Sequence, residues 1–296
     1  MANRWTVFGK IASNLGSAAL FTLSLLSAPA FAGDPFQRDE PHEIGDRTEE
    51  AFNAMFKDGN YGTAATSIDR AIQEEPNEPM AHALKASLIY LYEGDWNDFK
   101  TYATSTRTTA ESLADSDPLR SHLYTAVGHF LEGAHALKTE GTVRGTPAAL
   151  AKLRQVFQNL DAAEQTDSTD PELNIIKGFM DLLLAVNLPF ANPDQSIERL
   201  KNYAGPDYLA HRGLAIGYRD LDREDEAMIE VDRALELTPN NPEVWYLKAQ
   251  IFVDLGKHKE SLPWFQKALD KSQQLPDELV DQIKDEQDEA TRRAGQ

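Results

Sequence analysis

From residue 45 onward, apolar residues recur at three- and four-residue intervals, and this pattern predicts helices along almost the whole chain. Strand-like alternation bounded by turn residues is essentially missing, so the expected fold class is all-α. The stretch before it, residues 33–44, is polar and punctuated by proline, and reads as a flexible tether.

Shifted by 34 residues, the C-terminal third matches itself. Ala215 pairs with Ala249, Tyr218 with Phe252, Leu221 with Leu255, Ala227 with Ser261, Val231 with Phe265, Ala234 with Ala268 and Pro242 with Pro276. The residue types have a packing logic. A small residue on a first helix lets a second helix approach closely, and a large one a turn later fills the gap beside it. Each such unit buries its face only by stacking on the next.

A 34-residue helix-turn-helix unit is the signature of one repeat class, and on these residues the chain resembles the tetratricopeptide repeat superfamily. Trp245, Ala249, Phe252, Ser261, Phe265 and Ala268 follow that family's pattern in the last unit. Ala215, Tyr218, Ala227, Val231, Ala234 and Pro239 follow it in the unit before, where His211 stands in place of the tryptophan. A first unit matches through Met55, Gly59, Tyr61, Ala64, Ile68, Ala71 and Pro76. The resemblance implies a superhelix, or solenoid, of about six helical hairpins over residues 45–275, strongest at 45–76, 208–241 and 242–275. Residues 276–296, with Leu279, Val280 and Ile283 on one face, are expected to form a capping helix and tail.

The middle units are degenerate. One opens near Pro79; one near Pro118 has a long first helix, a loop from Thr139 to Pro147 and a second helix through Leu150 and Leu160; one opens at Pro171 and carries extra residues before Ile197.

The N-terminus reads as an address. Arg4 and Lys10 precede an uncharged run that ends in Ala-Pro-Ala-Phe-Ala, so residues 1–32 are expected to be a signal peptide cleaved after Ala32. Retention as a membrane anchor is the alternative. The expected location is periplasmic, lumenal or extracellular, with no membrane span after cleavage.

Composition adds exclusions. The remainder beyond residue 32 carries 27 basic and 48 acidic residues, a net of −21, which repels nucleic-acid phosphates and anionic lipid. With no cysteine, disulfides, thiolate zinc sites and thiol catalysis are excluded. No zincin, nucleophile-elbow, P-loop or dinucleotide-binding motif occurs. His122, His129 and Glu132, with His135 nearby, form the best metal candidate; His135 is rotated away on the helix, so a structural role is the simpler reading and no metal, cofactor or enzymatic activity is assigned. The acid runs at 220–226 and 281–289 read as solvated helix faces.

The resemblance places function in a concave groove lined by first helices. It implies a scaffold or assembly factor that holds a protein or peptide segment through Tyr90, Phe179, Arg212, Ile216, Arg219, Tyr246, Gln250 and Val253. The lysine and asparagine positions of the family's chaperone-tail clamp hold Arg212 with Ile216 and Tyr246 with Gln250, so that clamp is not expected. Self-association is a further expectation, and a small-molecule or metal site within residues 118–204 is the alternative.

Overall fold

The computed structural model describes residues 34–36, 38, 40–92, 94–187 and 193–295. The expected signal segment lies outside the described residues. The elements are α1 (Asp46–Phe52), a π-helical turn (Asn53–Lys57), α2 (Tyr61–Glu74), α3 (Pro79–Leu91), α4 (Trp96–Glu111), α5 (Pro118–Thr166) and α6 (Pro171–Asn187). Then follow α7 (Pro193–Asn202), α8 (Asp207–Asp220), α9 (Glu224–Leu237), α10 (Pro242–Asp254), α11 (His258–Leu269), a short 3-10 turn (Ser272–Gln274) and α12 (Asp277–Ala294). Among the described residues there is no strand, and the fold is all-α. No helix among them is long and apolar enough to cross a membrane.

Helix starts are written into the sequence. Glu78, Asp117, Asp170 and Asn241 each accept a backbone N–H from the first turn that follows them. Pro79, Pro118, Pro171 and Pro242 then occupy the first helical position, where a missing N–H leaves nothing unpaired. Each such cap contributes about 1 kcal/mol.

The chain forms two compact bodies. The first comprises residues 53–63 and 174–295. Within it α8 and α9, and α10 and α11, are antiparallel hairpins in 34-residue register. The small and large positions read from the repeat are its core: Ala215, Ala249, Ala227, Ser261, Val231, Phe265, Ala234 and Ala268 all have 0% exposure. The turns between the paired helices use left-handed backbone at equivalent positions, Asp222 (φ 56°) and Gly256 (φ 71°). Asp tolerates that region better than most side chains. Leu279, Val280 and Ile283 of α12 are buried, so α12 covers the apolar face that α11 would otherwise leave open.

The second body comprises residues 34–52 and 64–173. Phe99, Ala103 and Ala110 on α4 and Leu123 and Ala126 on α5 are buried in its core. Two expectations are corrected here. The loop expected over residues 139–147 shrinks to a sharp reversal at Gly141, where the two helical limbs of α5 meet and whose φ 76° and ψ 165° are open to glycine alone. The second limb folds back on the first, so that Lys152 pairs with Glu132. Nor is the stretch before α1 a free tether. Phe36 meets Phe52 edge-on, with ring centroids 5.2 Å apart, and Arg38 is buried in ion pairs with Asp34, Asp170 and Glu172. Composition marks such a segment as unable to fold by itself; it gains its order from carboxylates supplied about 130 residues further along.

Candidate partner-binding site

The first body gathers three of the eight expected groove residues. Arg219, at the end of α8, donates from Nη1 to Gln250 Oε1 on α10 at 2.7 Å, and from Nε and Nη2 to its neighbour Asp220. Gln250 in turn donates to Tyr246 Oη at 2.7 Å and to Glu286 of α12 at 3.0 Å. Arg219, Gln250 and Val253 line a cavity of about 520 Å³, together with Asp220, Asp222, Glu224 and Asp254, and with Glu286, Glu289 and Arg293 from α12. Six carboxylates against two guanidinium groups leave it with a net charge of −4. The cavity is therefore acidic.

Helix chemistry explains the charge. Asp222 and Glu224 stand at the turn into α9, where carboxylates complement the helix dipole. Glu286 and Glu289 are one turn apart on α12, and Arg293 pairs with Glu289. The acid runs at 220–226 and 281–289, expected to be separate solvated faces, meet across this cavity. The spacing within either run carries no sign of the other; only the stacking of α12 joins them.

Three further expected groove residues are interior, and Arg219 in the cavity wall is itself only 9% exposed. Arg212 is 1% exposed and donates to Glu243 at the start of α10, and Tyr61 donates to the same carboxylate. Ile216 and Tyr246 are buried as well, with the Tyr246 ring 6.0 Å from Phe265. These positions offer no surface to a partner: Tyr61 from the 53–63 stretch closes over the Arg212–Glu243 pair, and α11 and α12 close over Tyr246 through Phe265 and Glu286. A charge taken out of water must be paired, and Glu243 supplies the pair. Burial, and then Glu286, raises the Tyr246 phenol far above its usual range.

The remaining two are half-buried. Phe179 sits with its ring against Gly213, where a Cβ would come within 2.7 Å of it. Tyr90 belongs to the second body, packed with Trp96 and Phe99 at 5.8 and 5.9 Å. The histidines of that body are engaged locally: His129 Nδ1 lies 3.2 Å from Glu132, whose carboxylate also receives Lys152 and Arg107, and His135 stacks on Phe99 at 6.2 Å. Lysine and arginine thus stand where a metal would need the carboxylate. Among the described residues no group of three or more His, Asp or Glu is arranged to hold a metal ion.

Family models for the tetratricopeptide repeat match residues 209–251 and 242–271, the stretch of α8 to α11. Residues 209–271 are thus tetratricopeptide repeats. The matched repeats supply Arg219, Gln250 and Val253 of the acidic cavity, and α12 beyond them supplies its outer wall. Repeats of this family are an architecture for protein interaction. Among solved structures, the APC/C hetero-tetramer Cut9–Hcn1 is similar at 12% identity and a TM-score of 0.40, over 78% of this chain and 46% of that one. The chain therefore spans less than half the length of that relative. TTC0263, a thermophilic repeat protein of the same class from Thermus thermophilus, is similar at 17% identity and a TM-score of 0.31, over 78% of this chain and 90% of that one. No curated protein matches the sequence.

Proposed function

We propose that the protein is a non-enzymatic scaffold that holds a basic segment of another protein in the acid-lined cavity between α8, α10 and α12. The observation that carries this reading is the cavity itself. It lies on first helices of the repeats, contains three residues expected to touch a partner, and has a net negative lining. Complementary charge steers and orients such a partner more than it tightens the complex, so the half-buried Val253 is the apolar contact beside the charged rim. The uncharged run near the N-terminus supports export as the setting in which this scaffold works.

A photo-crosslinking residue placed at Val253, with a control at the exposed Val143, tests the site in the native cell. Partners captured at Val253, absent at Val143 and lost when Asp222→Lys and Asp254→Lys are added, are the expected result. Equal capture at both positions sinks the reading. Sequencing the N-terminus of the protein recovered from cells tests export: a mature chain beginning at Gly33 is expected.

A further inference from the structure

The second body carries a charge arrangement that partner binding in the first does not use. Three helix starts, those of α3, α5 and α6, bring their capping carboxylates Glu78, Asp117 and Asp170 to one place. Arg120 is 1% exposed and pairs twice with Glu78, at 2.6 and 3.1 Å, while its Nε lies 3.4 Å from Glu172. Tyr124 donates to Glu172 at 2.6 Å. Glu172 Oε2, the oxygen that Arg120 approaches, and Asp170 Oδ2 are shared with a second guanidinium that fills the slot beside them.

That guanidinium belongs to Arg38. Its Nη2 lies 3.0 Å from Glu172, its Nη1 pairs with Asp170, its Nε lies 2.8 Å from Asp34, and the Phe36 ring lies 5.2 Å beneath it. His42 adds a contact to Asp117. The described residues of the 34–44 stretch form no helix; they lie across the slot as a strap, anchored to the helices by the side chains of Arg38 and His42. A cavity of about 1240 Å³ continues from the slot, lined by the strap and by residues of the 113–120 and 166–171 stretches. Asp117, Asp167 and Asp170 keep it acidic. Burial, followed by the neighbouring Glu172, pushes the Asp170 carboxyl up to about 6 even with Arg38 beside it.

We propose that this slot is a recognition site for an arginine-bearing segment of another protein, and that residues 34–44 hold it closed as an intramolecular stand-in. The carboxylate fork requires a guanidinium, because a lysine ammonium does not match two planar acceptors. It does not require that the guanidinium come from the same chain. A strap attached to the body acts at an effective concentration on the order of millimolar, which keeps the site shut against weak competitors. A segment that also extends into the adjoining cavity gains contacts that the strap does not make.

The test uses the full chain and a fluorescein-labelled synthetic peptide of residues 33–44, followed by anisotropy. The Arg38→Ala protein is expected to bind the peptide at least about tenfold more tightly than wild type, because the tethered competitor has lost its anchor. A peptide that itself carries Arg38→Ala is expected to bind neither protein, and Asp222→Lys in the first body is expected to change nothing. No binding to an Arg38→Ala protein that retains its helical circular dichroism, or equal binding to both proteins, overturns the proposal. Should Arg38→Ala unfold, Arg38→Lys, which keeps the charge and loses the fork, takes its place with the same two outcomes.

Discussion

Arg212 and Glu243 are both buried, with Tyr61 donating to the same carboxylate, so the loss of either charge strands the other away from water. Arg212→Ala is expected to cost about 3–5 kcal/mol in urea unfolding, far beyond what loss of a surface contact would give. Asp58 shows the pH side of the same physics. Burial pushes its carboxyl up to about 6, with Lys271 and Lys57 offsetting part of the effect. The folded state therefore keeps a proton on Asp58 at pH values where the unfolded chain has lost it. That contribution to stability is full below an unfolded pKa near 3.8 and disappears as pH rises through about 6. Asp58→Asn is expected to raise stability at pH 7.5 by about 1 kcal/mol, a figure reduced for its half-exposed position, and to add far less at pH 4. Unfolding curves at the two pH values check this; an equal gain at both removes burial of the charge as the cause.

At the scale of elements, the reversal inside α5 depends on one residue. Gly141 has no atom within 4 Å of where a Cβ would stand, so Gly141→Ala meets no clash and pays only for backbone strain. A loss of about 1–3 kcal/mol is expected from thermal unfolding, with the Lys152–Glu132 pairing disturbed if the limbs splay. The capping helix is held differently, by apolar burial. Ile283 is fully buried, and Ile283→Ala is expected to cost about 2–5 kcal/mol. If that change left stability untouched, α12 would not be the seal of the repeat core.

At the scale of the whole molecule, repeat architecture makes stability local, since each unit rests mainly on its neighbours. Hydrogen exchange on the Ile283→Ala protein is expected to show protection falling in α11 and α12 while the α4 core around Phe99 keeps its own. Uniform loss across both bodies would mean that the chain unfolds as one cooperative block. The sequence alone determined the helical class, the 34-residue register and the core of the last two units, because these depend on periodicity and on side-chain size within one hairpin. It also located Arg219, Gln250 and Val253 on the helices that line the acidic cavity. What it left open were the contacts between residues far apart in the chain. Arg212 became interior because Tyr61 and Glu243 close over it, and Tyr246 because α11 and α12 do; Arg38 became ordered because carboxylates elsewhere in the chain pair with it; and two acid runs became one cavity because α12 stacks on α11 and reaches α10 through Glu286 and Gln250. Local pattern carries no record of such meetings. Burial, pairing of charge and the closing of an open helical face are decided only when the units stack.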